Sequence, residues 1–212
     1  GTFTTLAGRP LASRLRLTIP PTRSGILIVG ASPFSLRLVQ FAKYYVQVAF
    51  LDTSHSSCQL VADEGFEPKC PDVLDDDVYE NAKEEGYDRL VALTHDNVLN
   101  QLICEKAALH FGQNNVYMAK GNSEEGLMIE PISEYNVAFS RHFYISQALR
   151  RMNSGQVRFE TLRPEDMGED TFPLLQVADG EGLDIVRAGD SLSGPAFCIR
   201  FQPSENGDAP GW

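Results

Sequence analysis

Apolar residues in the first half of the chain are gathered into short runs. Ile26 to Val29, Val46 to Leu51, Arg89 to Leu93 and Val116 to Ala119 are too short for helices and alternate little with polar residues. Runs of this kind predict strands buried on both faces, as in a parallel sheet. Between them the spacing becomes helical. Leu36, Leu38, Val39, Phe41 and Ala42 form one apolar side after Pro33, a residue well suited to the first helical turn. His55 to Glu64 and the acidic Asp75 to Glu85 predict helices stopped by Gly65 and Gly86. Asn97 to Phe111 predicts a longer one, with Leu99, Leu102, Ile103 and Ala107 facing inwards. Phe66-Glu67-Pro68 reads as a weak edge strand. Strands and helices that alternate with short connections predict an α/β, Rossmann-like doubly wound parallel sheet with right-handed crossovers.

The rhythm changes after Lys120. Leu127-Met128-Ile129 is a short apolar run, and Ser140 to Met152 has helical spacing (Phe143, Ile145, Ala148, Leu149) with a basic end at Arg150 and Arg151. Beyond Gly155 the period drops to two. Val157 to Leu162 alternates cleanly, and Leu174 to Val177, Leu183 to Val186 and Ala196 to Phe201 predict further strands of a small β-rich C-terminal module. The expected organisation is an N-terminal segment and linker over 1–24, closed by Pro20-Pro21, then the sheet domain over 25–122. A connecting strand and helix cover 123–154, the β-rich module 155–203, and a disordered tail 204–212.

Composition narrows the class. The chain has 212 residues, is 42% apolar and carries a formal net charge of −11. It reads as globular, and its acidity argues against a nucleic-acid partner and against adhesion to anionic membrane. There is no run of about 18 apolar residues to span a bilayer. The four cysteines, at 58, 70, 104 and 198, form no CxxC pair and have no zinc spacing with histidine. That usage suits a reducing cytosolic compartment, with Cys104 and Cys198 as core thiols. His55, His95, His110 and His142 are scattered, and Asp75-Asp76-Asp77 reads as the charged first turn of a helix; neither predicts a metal site.

Candidate chemistry lies where the strands end. Gly30, Ala31, Ser32, Pro33 and Phe34 form the turn between the first strand and its helix, where backbone N–H groups face outwards and can hold a phosphate. Asp52, followed by Thr53, ends the second strand about twenty residues on, where a carboxylate accepts ribose hydroxyls. The fingerprint Gly-x-Gly-x-x-Gly is incomplete, with Ser32 and Ser35 in place of the later glycines. Ser32 fits either a phosphate contact or a helix cap. Asp52 fits either a ribose or the cap of the helix near His55. Asp72, with Val73, and Thr94, His95 and Asp96 complete the crevice loops, with turn and cap roles for Asp72 and Asp96 as alternatives.

This start, together with Asp52, Cys70-Pro71-Asp72 and Leu93-Thr94-His95-Asp96-Asn97-Val98-Leu99-Asn100, resembles the RCK/KTN family of TrkA-type nucleotide-binding domains over about residues 25–120. Phe172 to Phe201 looks like a degenerate form of the small domain that often follows in that family. Thr5 to Ala12 and Arg14 to Leu17 resemble the cytosolic exit of the last membrane helix in cation–proton antiporters of the sodium/proton exchanger type. The resemblance implies a regulatory domain on the cytoplasmic face of the membrane, joined in one polypeptide to a transport domain of an antiporter or potassium system. It also implies a homodimer and an adenine nucleotide, NAD(H), AMP or ATP, as ligand. No nucleophile, acid and base converge in the crevice loops, so no enzyme is expected. Two other readings stay open: a degenerate dimerisation scaffold without ligand, and the cofactor domain of an NAD-dependent oxidoreductase.

Overall fold

A computed structural model describes residues 25–122, 136–178 and 182–202. The antiporter-like segment before Gly25, the Leu127-Met128-Ile129 run and the tail after Gln202 lie outside the described residues.

The central strands β1 (Gly25–Val29), β2 (Gln47–Leu51), β3 (Pro68–Lys69), β4 (Tyr87–Ala92), β5 (Val116–Met118) and β6 (Asn136–Val137) form one sheet in the order β3-β2-β1-β4-β5-β6. Every pairing in it is parallel. The helices α1 (Pro33–Ala42), α2 (His55–Asp63), α3 (Asp76–Glu84) and α4 (Asn97–Phe111) supply the crossovers. Successive strands are added outwards on one side of β1 and then, from β4, on the other, and the crevice at the carboxyl ends of β1 and β4 is where sheets of this order bind ligands.

Period-two geometry explains the unbroken apolar runs. Ile26 and Ile28 point to one face, where they join Phe34, Leu38 and Val39 of α1. Leu27 and Val29 point to the other, with Leu51, Tyr79, Leu90, Ile103 and Ala107. Both faces are therefore dry. Asp96 caps α4 by accepting from Leu99 N at 3.0 Å, and Gly112 at φ 80° ends it, which makes its span the one read from the sequence. Leu102, expected to face inwards, is exposed on its outer side.

The second half adds α5 (Ile145–Asn153) and an antiparallel sheet of β7 (Val157–Leu162), β8 (Thr171–Ala178), β9 (Gly182–Ile185) and β10 (Ala196–Phe201), ordered β7-β10-β8-β9. This sheet lies on the α1 side of the first, and Leu174, Ile185, Ile199 and Phe201 share one apolar cluster with Ile26, Phe34 and Leu38. Stacked rings carry the contact, with Phe41 and Phe197 centroids 4.4 Å apart. Arg89 of β4, 8% exposed, reaches across to the Leu183 carbonyl and Asp184 of β9. α5 starts at Ile145 rather than Ser140 because its first N–H groups, those of Ile145 and Ser146, donate to the Lys120 and Gly121 carbonyls at 2.9 Å.

Cys104 and Cys198 are buried thiols, as expected, and burial pushes the Cys104 thiol well up and the Cys198 thiol up to about 11. The reduced-thiol reading does not extend to the other two. Cys58 of α2 and Cys70 after β3 are joined in a disulfide, with Cα atoms 6.3 Å apart. Pairing of β2 with β3 brings them together, since Asp52 N, at the end of β2, donates to the Lys69 carbonyl at 3.2 Å.

Candidate functional site

The crevice is built on two close backbone approaches. Gly30 has φ 103°, and a Cβ on it would lie 2.9 Å from the Leu93 carbonyl carbon and the Thr94 nitrogen. Only glycine fits there, because both the conformation and the space exclude a side chain. On the far side Gly121 passes over the β4–α4 loop, and a Cβ on it would lie 2.4 Å from the His95 carbonyl carbon and oxygen. Gly121 N donates to Asn97 Oδ1 at 2.7 Å and closes that second approach.

Asp52 sits at the mouth of the first turn. Its Oδ2 accepts from Ala31 N at 2.7 Å and its Oδ1 from Ser54 N at 2.8 Å. It does not cap α2, because Ser54 does, accepting from Ser57 N. An ionised carboxylate has about four acceptor positions, so two backbone bonds leave room for ribose hydroxyls. Its charge also faces the positive end of α1.

The phosphate side of the turn is narrower than a glycine-rich loop would make it. Ser32 caps α1, its Oγ accepting from Ser35 N at 3.2 Å, while Ser32 N donates to Ser35 Oγ at 2.8 Å. The capping box thus engages two N–H groups that a glycine loop would offer to a ligand. Pro33 is exposed at the first helical position. The Phe34 ring is fully buried against Phe139 and Phe143, so this residue has only its backbone to offer the crevice.

The remaining candidates divide between crevice and scaffold. Thr53 Oγ1 accepts from Val73 N at 3.4 Å, which ties the loop after β2 to the loop after β3. Val73 is buried, and its carbonyl accepts from Tyr79 Oη. Asp72 is exposed and turns back to accept from Leu74 N at 2.9 Å, a turn role. Thr94 stands at the end of β4 beside Gly30, His95 is exposed, and Asp96 is the α4 cap. Gly30, Ala31, Asp52 and Thr94 therefore converge at the switch point, while Asp72 and Asp96 serve local backbone.

Asn97 and Asn100 are the structural residues that a reading for ligands passes over. Asn100 is fully buried and bonds to Thr94 N, Thr94 Oγ1, Thr94 O and Ala119 O. Their signal was a pair of asparagines inside an otherwise apolar helical pattern, where a polar side chain needs a reason.

The arrangement fits the ribose of an adenosine better than it fits a pyrophosphate. Burial in packed interior is the main cause that raises the pKa of Tyr79, Tyr117, Cys104 and Cys198, and the hydrogen-bonded ion pair with Asp190 raises that of Arg187.

No curated protein sequence matches the chain. Among solved structures, it is similar to the NAD(P)-binding domain of an exopolyphosphatase-related protein from Archaeoglobus fulgidus, at 17% identity and TM-score 0.46, over 63% of this chain and 96% of that one. It is also similar to the GsuK RCK domain, at 11% identity and TM-score 0.44, over 85% of this chain and 45% of that one. A structure of the GsuK channel bound to NAD gives 13% identity and TM-score 0.44, over 88% of this chain and 40% of that one. The chain thus spans less than half the length of the GsuK chains. The model of the TrkA-N domain matches residues 26–132, from the first buried strand through both crevice loops and beyond, and the chain belongs to the TrkA-N, RCK-type domain family.

Proposed function

We propose that this chain is a regulatory module of a monovalent cation transport system, an antiporter or a potassium system, and not an enzyme. It binds an adenine nucleotide at the crevice, pairs with a second copy, and passes occupancy to a transport domain of the same polypeptide, on the cytoplasmic face of the membrane, through the Pro20-Pro21 linker. One observation carries the reading: the Asp52 carboxylate is held by Ala31 N and Ser54 N at the switch point, with acceptor capacity to spare. The burial-shifted thiols and phenols look like core groups rather than a tuned acid and base, which favours sensing over catalysis. Control of this kind needs a nucleotide that binds two arrangements of the pair with different affinity.

Pairing is assigned to α4. Val98 is 48% exposed, Leu102 41% and Leu109 81%, and their spacing lines them along its outer side while Ile103, Cys104, Ala107 and Phe111 pack inwards. Leu109→Glu is expected to raise the dimer dissociation constant roughly a hundredfold, because a charge replaces buried leucine surface worth about 3 kcal/mol. Sedimentation of the wild type and the variant checks this; a wild type that is monomeric at high concentration rejects the pairing.

NADH, AMP and ATP titrations test the sensor itself, and no stabilisation by any of them rejects it. The serine-closed turn favours a second reading, a scaffold that kept the fold without the ligand. Ser32→Gly separates the two. Glycine at a helix cap costs only a few tenths of a kcal/mol, so the fold survives. It frees Ser35 N and lets a phosphate approach the turn, and one charged hydrogen bond of about 1.5 kcal/mol predicts roughly tenfold tighter NADH binding. A scaffold gains nothing from the change.

A further inference from the structure

We propose that the Cys58–Cys70 disulfide is a redox latch on the crevice, whose opening by an external dithiol weakens nucleotide binding. The inference rests on the nucleotide reading above and concerns regulation of that same site.

The latch lies on the wall of the crevice. Cys58 Sγ is 3.5 Å from the carbonyl oxygen of Asp52, the residue assigned to the ribose. Cys70 begins the Cys70-Pro71-Asp72-Val73 segment that runs from β3 along that wall. Other ties on the segment are few. β3 is two residues long and pairs with β2 at the sheet edge through Phe50–Pro68 and Leu51–Lys69. Beyond it stand the Asp52 N to Lys69 O bond at 3.2 Å and the long Val73 N to Thr53 Oγ1 bond at 3.4 Å. A covalent link over 12 residues is the strongest restraint on such a segment. Without it the wall beside Asp52 and Thr53 is held by a two-residue edge pairing, the Lys69–Glu85 ion pair, the long Val73 N bond to Thr53 Oγ1 and the Tyr79 Oη bond to the Val73 carbonyl.

Access to the two sulfurs is unequal. Cys70 is exposed, whereas Cys58 is 5% exposed. A thiolate of the external dithiol attacks Cys70 Sγ, the S–S bond breaks, and Cys58 leaves as a thiolate that takes a proton from water. The second thiol of the reductant then attacks its own sulfur in the mixed disulfide and releases Cys70 as a thiol. Two electrons and two protons pass to the protein, and the dithiol becomes a disulfide. Cys104 and Cys198, buried in separate parts of the core, take no part.

The test uses the whole chain in three forms: oxidised, reduced with dithiothreitol, and as the Cys58→Ser/Cys70→Ser double variant. Thiol labelling after denaturation should find Cys104 and Cys198 alone in the oxidised chain, with Cys58 and Cys70 added after reduction. Amide exchange over residues 68–73 should accelerate on reduction while exchange in β1 and β4 does not change. NADH titration should give a dissociation constant roughly tenfold weaker in the reduced chain, as expected if the unlatched wall is binding-competent about a tenth of the time. The double variant should match the reduced chain and ignore dithiothreitol. Four labelled thiols in air-oxidised protein, unchanged exchange over 68–73, or equal NADH affinity in both redox states would overturn the latch alone. No binding of NADH, AMP or ATP in either state would overturn the nucleotide reading and the latch with it, and a chain that binds AMP or ATP but not NADH is compared with that nucleotide in its place.

Discussion

Asn100→Ala is expected to destabilise the protein by about 4 kcal/mol, a fall in melting temperature of roughly 8–16 °C for a chain of this size. The side chain is 0% exposed and spends both ends of its amide. Oδ1 accepts from Thr94 N at 3.0 Å and from Thr94 Oγ1 at 2.6 Å, while Nδ2 donates to Thr94 O at 3.0 Å and Ala119 O at 3.1 Å. One residue in the first turn of α4 therefore clamps the carboxyl ends of β4 and β5. Alanine strands the Thr94 N–H and the Ala119 carbonyl in the interior, at about 1–3 kcal/mol each, and leaves a small cavity besides. Asn100→Asp is the sharper control, since it keeps the acceptor oxygen but loses the donor and buries a charge. It should cost at least as much at neutral pH. Chemical denaturation gives both numbers, and a loss under about 1 kcal/mol for alanine would show that water replaces the amide without penalty.

The same network shows what the chain reveals about itself and what it hides. α4 was legible to the residue because its ends are local: Asp96 caps it and Gly112 stops it. β7 and β10 were legible because alternation over Val157–Leu162 and an apolar run over Ala196–Phe201 are set by the sheet itself. The start of α5 was not, since its first N–H groups are satisfied by Lys120 and Gly121, far back in the chain. β6 escaped for a similar reason, as Asn136–Val137 becomes a strand only through pairing with Tyr117 and Met118. Leu102 matches the spacing of its buried neighbours, and spacing alone does not say which side of an apolar helix packs on the sheet. The disulfide has no local signature at all. Cys58 and Cys70 look like ordinary thiols until β3 is laid beside β2.

At the crevice the division is chemical. Gly30 was legible because few other residue types suit a positive φ beside a crossing backbone, and the place of Asp52 was legible because it ends the second strand, beside the first turn. The role of Ser32 was not, since a hydroxyl that caps a helix and one that binds a phosphate are the same hydroxyl. The inward capping box with Ser35 decides in favour of the cap in the free protein. In the proposed sensor a nucleotide competes with that box, and the weight of recognition would fall on the carboxylate across the turn.

Asp52→Asn is accordingly expected to weaken NADH binding by roughly a hundredfold, the equivalent of about 3 kcal/mol lost from charge-assisted bonds to ribose hydroxyls. The substitution keeps the shape of the side chain and removes its charge. An amide has one acceptor oxygen where the carboxylate has two, so its NH2 group must face either Ala31 N or Ser54 N, both donors now satisfied at 2.7 and 2.8 Å. Folding stability should fall by about 1–2 kcal/mol for that mismatch, little enough for the chain to stay folded. Pairing through α4 should not change, because Val98, Leu102 and Leu109 are exposed on the outer side of that helix, whereas Asp52 is bonded to Ala31 N and Ser54 N. That separation gives the variant its force. A chain that still pairs but no longer binds NADH, and whose transport partner no longer responds to the nucleotide, is a sensor with its ligand contact removed. A chain that pairs and regulates as before is a scaffold, and Asp52 is then a structural carboxylate that holds the first turn of α1 to the end of β2.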